Sequence, residues 1–399
     1  MRVCVVAEYY PRRRDPVLGV WAHRQALAAR SAGADVRVLA LERPVPPASS
    51  LGSASRLARA LAGAATQPRR DTLDGLEVEY VRFVSPPRDR SYTTWDRWAR
   101  GPLGKALAKL HAEEPLDLVH AHYALPAAGA ALNFTETERL PLAVSIHGGD
   151  VLGPLVSTPQ ARARIGGVLR RASVVLCNSR DTLIRCSALT GSAARMCVVH
   201  LGADAPGDPP PKREEPTIAT LGHVVARKRH VDVLHALTVL GARVPDIRWA
   251  VIGDGPERAG LERLATQLGA NDKIDWLGQL PPDEALNELS RCHVMAMPSL
   301  DEAFGVAYIE ALACGLPAIG CRREGGPEEI AACGEGMLLV PARDPDALAE
   351  QIAELLTDND RLTRLSQAAR KTAADEFSWE SCGRATVEAY ERAIEEGPR

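Results

Sequence analysis

The sequence lacks any apolar run long enough to cross a membrane as a helix, for which about 20 consecutive apolar residues are needed. Its first seven residues lead directly into Glu8, without the apolar segment and small-residue cleavage site of a signal peptide. These absences argue against a membrane-spanning or secreted protein. We therefore expect a cytoplasmic one.

The sequence also lacks the usual signatures of disulfides, metal sites and resident nucleotides. Its nine cysteines form neither a C-x-x-C motif nor a Cys/His ligand spacing, so neither a disulfide framework nor a zinc site is indicated. No P-loop occurs, and in the turn at 253–256 the third glycine of a dinucleotide fingerprint is misplaced. The single D-x-D, at 358–360, precedes a helical run and is typical of a helix cap. We predict no metal and no cofactor.

What the sequence does contain is enough apolar material for two domains. Of its 399 residues, 46% are hydrophobic and 25% are charged, which is ordinary for a globular protein. Short apolar stretches alternate with helical ones in both halves, which is the pattern of a parallel α/β sheet. The apolar stretches lie at 3–7, 36–41, 116–120, 142–146, 174–177 and 197–200, and again at 218–221, 249–252, 274–277, 294–297, 318–320 and 337–340.

A stiff, Pro-rich segment at 205–212 separates the two halves. We therefore predict an α/β protein with a first domain at 1–205, a linker at 206–215 and a second domain at 216–378. Residues 43–70 are rich in Pro, Ser and Arg, and we predict an insertion or a mobile loop there.

The two halves differ in charge. Residues 1–200 contain 27 Lys and Arg against 17 Asp and Glu, and the remainder contains 21 against 34. A basic half can face a phosphorylated acceptor or an anionic lipid surface, and it can equally be a solvated surface. Nucleic acid is not expected, because no nucleic-acid-binding motif accompanies the charge. Trp95 and Trp98, beside Tyr92, are candidates for contact with a membrane interface, or for a core pair.

The most informative segment is a Phe-Gly pair bracketed by two carboxylates, in the sequence DEAFGVAYIEALACGLP at 301–317. The apolar stretch before it is closed by Pro298 and is typical of a buried parallel strand, and a helix is predicted over 306–313. Glu302 then lies in the loop and Glu310 in the second turn of the helix. Glu310 is surrounded by Ala, Ile and Leu, where a carboxylate is costly without a partner such as a ribose hydroxyl.

The start of that helix is a candidate phosphate site. A helix N-terminus presents unpaired N–H groups and the positive end of the helix dipole, and Gly305 allows the backbone to approach a ligand closely. The N–H groups expected to bind are those of Phe304, Gly305 and Val306.

Two histidine motifs follow predicted strands of the first half. His147-Gly148-Gly149-Asp150 places an imidazole and a carboxylate at the carboxyl end of a strand, either for a ligand or as the caps of a turn. Upstream, His120 and His122 have the spacing of a metal pair, but no neighbouring Cys or carboxylate supports a metal.

The segment Glu302–Pro317 resembles the E-x7-E signature of the retaining, family 4 glycosyltransferases, which have the GT-B fold. An ordinary amphipathic helix with a Glu at each end is the alternative. The resemblance extends over nearly the whole chain. It implies two Rossmann-like, doubly wound domains that face an interdomain cleft, with the acceptor on the first and the nucleotide sugar mainly on the second. A helix at about 379–396 resembles the one that packs back on the first domain.

The resemblance also implies roles for single residues. His147 would contact the transferred sugar, and Asp150 would lie near the acceptor. Glu302 would contact the hydroxyls of the sugar and Glu310 the ribose, while the backbone N–H of Gly19 would meet the donor diphosphate.

One motif departs from the family pattern. Residues 222–228 resemble its Gly-Arg-x-x-x-x-Lys, whose two cations neutralise the diphosphate, but only Lys228 matches. His223 replaces the arginine, so that a group titrating near neutrality stands where the family has a permanent bidentate donor. Arg227 is a candidate to compensate. The arginines of the first loop, at 12–14, either hold an anionic acceptor or are solvated.

The function implied is metal-independent transfer of a hexose-type sugar, with retention, from a nucleotide-diphosphate donor to a hydroxyl of a glycan, glycolipid or small metabolite. Alternatives are a GT-B phosphorylase or epimerase and a non-catalytic nucleotide-sugar-binding subunit. UDP, GDP and ADP sugars are not distinguished by the sequence. Its Ala- and Arg-rich composition is typical of a bacterium of high genomic GC content.

Overall fold

The computed structural model describes residues 1–45, 53–55, 58, 62, 66–86 and 91–398, so most of the predicted insertion at 43–70 lies outside the described residues. The chain divides into two compact units, Met1–Leu201 with Trp379–Arg399, and Gly202–Ser378. The segment predicted as a linker belongs to the second unit. There Lys212 Nζ donates to the carbonyl of Cys292 at 2.5 Å, and Arg213 pairs with Glu288 at 3.0 Å.

The first unit is built on an eight-stranded sheet of order β3-β4-β2-β1-β5-β6-β7-β8, in which β3 is antiparallel to β4 and the other pairings are parallel. Its strands are β1 Arg2–Ala7, β2 Asp35–Glu42, β3 Arg70–Leu73, β4 Leu76–Arg82, β5 Leu118–His122, β6 Leu142–Ile146, β7 Val174–Cys177 and β8 Met196–Val198. Its described helices are α1 Val20–Ser31, α2 Trp95–Glu113, α3 Gly129–Glu138, α4 Pro159–Arg171, α5 Arg180–Thr190 and α13 Trp379–Glu396.

The last helix, α13, packs closely on α1. Gly383 lies so near that a Cβ there would come within 2.3 Å of the carbonyl oxygen of Ala28. Gln25 of α1 donates to Thr386 of α13 at 3.1 Å. The C-terminal residues therefore complete the first unit and not the second.

The second unit has a six-stranded parallel sheet of order β11-β10-β9-β12-β13-β14. Its strands are β9 Thr217–Leu221, β10 Arg248–Ile252, β11 Ile274–Gly278, β12 Val294–Ala296, β13 Ala318–Cys321 and β14 Met337–Val340. Its helices are α6 His230–Leu240, α7 Arg258–Gln267, α8 Pro282–Ser290, α9 Val306–Ala313, α10 Gly325–Cys333, α11 Pro345–Thr357 and α12 Asn359–Glu376.

Both sheets are doubly wound, which confirms the predicted α/β class. The strand order reverses between β1 and β5 in the first unit and between β9 and β12 in the second. Open α/β sheets bind ligands beyond the carboxyl ends of the strands at such switch points. Ligand-binding residues are therefore expected in the loops that follow these four strands.

The chemistry of the strands explains why they form buried sheets. Residues Val3–Ala7 of β1 are entirely inaccessible to solvent, as expected when helices cover both faces of a parallel sheet. Seven of the nine cysteines are buried. Among the described residues, every helix is too short or too polar to span a bilayer.

Candidate functional site

In the second unit the loops after β9 and β12 bring a buried ion pair together. Lys228 lies in a single helical turn after β9, and its Nζ is 2.5 Å from Oε2 of Glu302 in the loop after β12. Both residues are 8% exposed. The guanidinium of Arg227 approaches the same oxygen at 3.5 Å, with its side chain 48% exposed. One carboxylate thus faces two cations.

The charges of this cluster support one another. Burial is the largest single influence on Glu302 and opposes its ionisation, but the attractions of Lys228 and Arg227, with the hydrogen bond from Lys228, together outweigh it and lower the pKa of Glu302. Burial lowers the pKa of Lys228, against the attraction of Glu302. Glu302 is therefore a carboxylate at neutral pH, and any anion that enters competes with it for the two cations.

The backbone N–H and carbonyl groups of Glu302 are both hydrogen-bonded. Its N–H donates to the carboxylate of Glu324 at 3.0 Å, and its carbonyl accepts from the N–H of Gly326 at 3.2 Å. No motif in the sequence predicts this role of Glu324. The available signal is its position, an acid directly before a Gly-Gly pair and after β13. Glu324 orients the loop that carries Glu302.

The start of α9 requires a glycine. Gly305 has φ +94°, and a Cβ there would come within 2.3 Å of the ring of Tyr308 and 3.3 Å of Cγ of Glu302. The neighbouring α10 is equally close, because a Cβ on Gly326 would lie 2.2 Å from the carbonyl oxygen of Phe304. The two glycines thus allow close packing where the amides of Phe304, Gly305 and Val306 lead from the Glu302 loop into α9.

Glu310 lies in the second turn of α9, as the sequence predicted, and is partly exposed. Its carboxylate has no hydrogen bond to any residue the structure describes. Burial and the neighbouring Asp204 raise the pKa of Glu310 to about 7, against the effect of Lys228. A ligand hydroxyl would satisfy this carboxylate.

Unlike Lys228 and Arg227, His223 does not pair with Glu302. It is exposed and follows Gly222, whose carbonyl would be 2.0 Å from a Cβ on Gly253. The ion pairs of Glu302 among the described residues are with Lys228 and Arg227, and none is with His223.

In the first unit, His147 forms a hydrogen bond with a second histidine. His122 Nδ1 and His147 Nε2 are 2.9 Å apart, and the two rings are parallel within 2°. Burial lowers the pKa of His147 to about 3, so its imidazole is neutral at physiological pH. Tyr123 and Trp21 contact the same ring, with centroid distances of 5.4 and 6.1 Å. His147 is therefore a neutral imidazole packed among the rings of Trp21, His122 and Tyr123.

The two histidines of the His-x-His spacing have different partners. His120 Nδ1 hydrogen-bonds the hydroxyl of Tyr390 on α13 at 2.6 Å, and its Nε2 hydrogen-bonds Ser145 at 2.8 Å. His122 uses Nδ1 for His147, and its buried Nε2 has no hydrogen-bond partner among the described residues. No group of three or more metal-binding side chains occurs in the part of the chain that the structure describes.

Asp150 joins two loops, and Gly19 lies tight against the backbone of Tyr9. Asp150 Oδ1 accepts from the N–H of Ala124 at 2.9 Å, which joins the loops after β5 and β6. Burial raises the pKa of Asp150 to about 8, despite its backbone hydrogen bonds. Gly19 precedes α1 with φ +67°, and a Cβ on it would lie 2.2 Å from the carbonyl group of Tyr9. A substrate role for either residue stays a prediction.

The loop arginines are engaged within their own unit. Arg12 donates to the carbonyls of Glu8 at 3.2 Å and Leu41 at 2.9 Å. Arg13 pairs with Asp71 at 3.3 Å. Of the aromatic group, Trp95 is buried, Tyr92 donates to Glu8, and only Trp98 is on the surface, 49% exposed.

Two family models match the chain. The model described as "Glycosyl transferase 4-like domain" matches residues 18–202, and the model described as "Glycosyl transferases group 1" matches residues 205–372. Each model covers most of one of the two units.

Curated relatives are similar over most of the chain. The GDP-mannose-dependent alpha-(1-6)-phosphatidylinositol monomannoside mannosyltransferase of Mycolicibacterium smegmatis is 30% identical over 262 residues, 61% of this chain and 68% of the relative. D-inositol 3-phosphate glycosyltransferase 2 of Catenulispora acidiphila is 30% identical over 318 residues, 72% of this chain and 73% of the relative.

Solved structures share the fold. Sucrose-phosphate synthase from Thermosynechococcus elongatus aligns with a TM-score of 0.76 and 18% identity, covering 99% of this chain and 100% of that one. Anabaena HepE in complex with UDP and glucose aligns with a TM-score of 0.72 and 16% identity, covering 98% and 99%. At these identities the likeness concerns the fold alone.

Proposed function

Since this chain belongs to the group 1 glycosyltransferases, we propose that it transfers a hexose-type sugar from a nucleoside-diphosphate donor to an acceptor hydroxyl, with retention and without a metal. The observation that carries the proposal is the buried Lys228–Glu302 pair beside the N-terminus of α9. The names of the relatives support it, because one is GDP-mannose-dependent and one fold neighbour was crystallised with UDP and glucose.

The leaving group is the first requirement of such a reaction. As the bond to the anomeric carbon breaks, the departing diphosphate gains negative charge, which fixed cations and N–H dipoles stabilise. Lys228 supplies a buried cation, and the amides of Phe304, Gly305 and Val306 supply the positive end of α9. With these groups in place, the residues of the chain supply the charge that a metal would otherwise bring.

The sugar and the ribose are assigned to the two glutamates. Glu302 is ionised and accepts hydrogen bonds from sugar hydroxyls once a diphosphate engages Lys228. Glu310 accepts from the ribose. His147 is neutral and provides a hydrogen-bonding ring for the sugar without adding charge near the positive anomeric carbon.

Retention in this scheme follows from attack on the face that the diphosphate leaves. The acceptor hydroxyl passes its proton to the leaving phosphate oxygen, so no side chain acts as a nucleophile. The first unit binds the acceptor and selects its class, which is a polysaccharide, a lipid-linked molecule or a small molecule.

Nucleotide binding tests the proposal first. Melting temperatures are measured with UDP, GDP and ADP in EDTA for the native protein, for Glu310→Ala, and for Glu284→Ala as an exposed control on α8. A ligand at 100 times its Kd stabilises the folded state by about 2.7 kcal/mol, so one base class should raise the melting temperature by several degrees. The shift should be smaller in Glu310→Ala and unchanged in Glu284→Ala.

Two results would count against it. No shift with any nucleotide, in a protein shown to be folded, argues for a lost donor site. Donor consumed without an acceptor, or only with inorganic phosphate, identifies an epimerase or a phosphorylase instead.

We also propose that the first unit meets its acceptor at an anionic lipid surface. The outward face of α2 supports this, since it combines exposed Trp98 with exposed cations, namely Arg97, Arg100, Lys105 and Lys109. Sedimentation with phosphatidylglycerol vesicles should retain the protein, whereas phosphatidylcholine vesicles should not. Trp98→Ala should reduce the retained fraction, and equal binding to both vesicles would contradict the proposal.

A further inference from the structure

The diphosphate site of this chain has an unusual arrangement of cations. The family pattern puts an arginine at position 223, and this chain has a histidine there and an arginine at 227 instead. Four further side chains in or near the same turn can carry positive charge, and their surroundings show which are available. They are Arg227, Lys228, Arg229 and His230.

Two of these four are unavailable as cations for a ligand. Arg229 forms a two-pronged ion pair with Asp232 on α6, with contacts of 2.9 and 2.5 Å. His230 is buried, and burial lowers its pKa to about 4, so it is neutral at physiological pH. Neither can serve as a cation for a ligand.

The other two converge on one atom. Lys228 Nζ and Arg227 Nη1 lie 2.5 and 3.5 Å from the same oxygen of Glu302. The backbone of Arg227 is fixed as well, because its carbonyl accepts from the N–H of Leu300 at 2.8 Å. The turn after β9 and the loop after β12 are thereby joined at the base of the Arg227 side chain.

We propose that Arg227 is the second cation of the diphosphate site and takes the place of the arginine that is missing at position 223. The inference rests on the proposed function, since it names a residue of the same donor site. Arg227 adjoins the carboxylate assigned to the sugar, so its contact is with the β-phosphate, the phosphate that carries the sugar.

The chemistry of arginine suits this role. A guanidinium presents two parallel N–H groups that match two phosphate oxygens, and its charge persists at all physiological pH values. The side chain is half exposed and its only ion-pair partner among the described residues is Glu302, at the long distance of 3.5 Å. Little has to be broken for Arg227 to turn from Glu302 to a phosphate.

Calorimetric titration tests the inference. The native protein, Arg227→Gln, His223→Gln and the exchange variant Arg227→Gln/His223→Arg are titrated with UDP, GDP and ADP and with the three matching monophosphates, all in EDTA. Arg227→Gln should raise the Kd of the bound diphosphate about tenfold, the loss expected for one charge-assisted hydrogen bond at a partly exposed site. The Kd of the monophosphate should change less than twofold.

The remaining variants locate the cation. His223→Gln should bind the diphosphate within twofold of the native protein, because no hydrogen bond or ion pair joins the His223 side chain to the Lys228–Glu302 pair among the described residues. The exchange variant should recover most of the lost affinity, because it restores an arginine at the position that the family uses. Unchanged melting temperatures verify that the variants are folded. A further variant, Arg227→Lys, keeps the positive charge and should lose less affinity for the diphosphate than Arg227→Gln.

The outcomes separate the two proposals. A diphosphate that binds Arg227→Gln within threefold of the native protein overturns the inference and leaves the proposed function standing. An equal loss for monophosphate and diphosphate, or a tenfold loss in His223→Gln alone, also overturns it. If the native protein binds none of the three diphosphates, the proposed function fails and the inference fails with it.

Discussion

The two units place polar side chains at the same position of the fold, beyond the carboxyl ends of their central strands, but the two sets differ in charge. In the second unit Lys228 and Glu302 form a buried ion pair. In the first unit burial lowers the pKa of His147 to about 3 and raises that of Asp150 to about 8, so both side chains are uncharged near neutrality.

This difference matches the two halves of the proposed substrate. A diphosphate is an anion, and desolvating it requires fixed positive charge nearby. A hexose carries only hydroxyl groups, to which the first unit offers neutral side chains, and the one charged acceptor proposed for them, Glu302, belongs to the second unit. The comparison therefore predicts that charge changes in the second unit affect the reaction most, and that the first unit responds mainly to changes in hydrogen-bond geometry.

The largest effect is expected when the buried cation is removed. Lys228→Gln should lower kcat by roughly 10²–10³-fold, because it takes away a preorganised charge beside the leaving group. Lys371→Gln removes an exposed cation on α12 and should leave kcat unchanged. The kcat values of both variants and of the native protein are measured by steady-state kinetics. A kcat within threefold of the native value in Lys228→Gln would remove Lys228 from the mechanism.

Removing the carboxylate should separate turnover from binding. Glu302→Gln should lower kcat by about 100-fold, since the sugar loses a charged acceptor. The same change should tighten UDP or GDP binding several-fold, because Lys228 and Arg227 lose the anion that competes with the diphosphate. Asp301→Asn serves as the exposed neighbouring control. Weaker nucleotide binding in Glu302→Gln would refute the competition between carboxylate and phosphate.

In the first unit a smaller effect is expected from His122. His122→Phe should lower kcat/KM about tenfold, because the ring of His147 loses the hydrogen bond that orients it. His122→Asn should retain most of the activity, since its amide can donate from nearly the position of Nδ1. Kinetics and melting temperatures are compared for both variants. Equal losses in the two would indicate a packing role alone.

The smallest effect concerns pH and stability. The pKa of Asp150 is raised to about 8 in the folded chain, so the folded state resists its ionisation, and stability falls as pH rises from the unfolded pKa toward 8. Asp150→Asn mimics the protonated form and keeps the oxygen that accepts from Ala124. The melting temperature of the native protein should therefore drop a few degrees more between pH 6 and 9 than that of the variant. Parallel pH curves would contradict this.

Much of the fold could be predicted because its strands are buried on both faces and are therefore continuously apolar. The helix predicted over 306–313 coincides with α9. The hairpin of β3 and β4 was missed, since β3 is polar and partly exposed. Its signal was present in the Asp74-Gly75 turn, where both residues have positive φ, of 48° and 77°.

The site was less predictable than the fold, because motifs identify residues and not their partners. Lys228 and Glu302 are 74 positions apart, and their pairing depends on β9 lying beside β12. The bond between His122 and His147 requires the register in which His122 lies opposite Ser145. Neither relation can be obtained from local spacing.

The position of α13 has a consequence for synthesis on the ribosome. The first unit needs Trp379–Glu396 to cover α1, yet the whole of Gly202–Ser378 is translated in between. At about 5–20 residues per second, that delay lasts on the order of 10–40 s. During this time the nascent first unit presents the surface around Gln25 and Ala28 uncovered, so the second unit has time to fold before the first is complete.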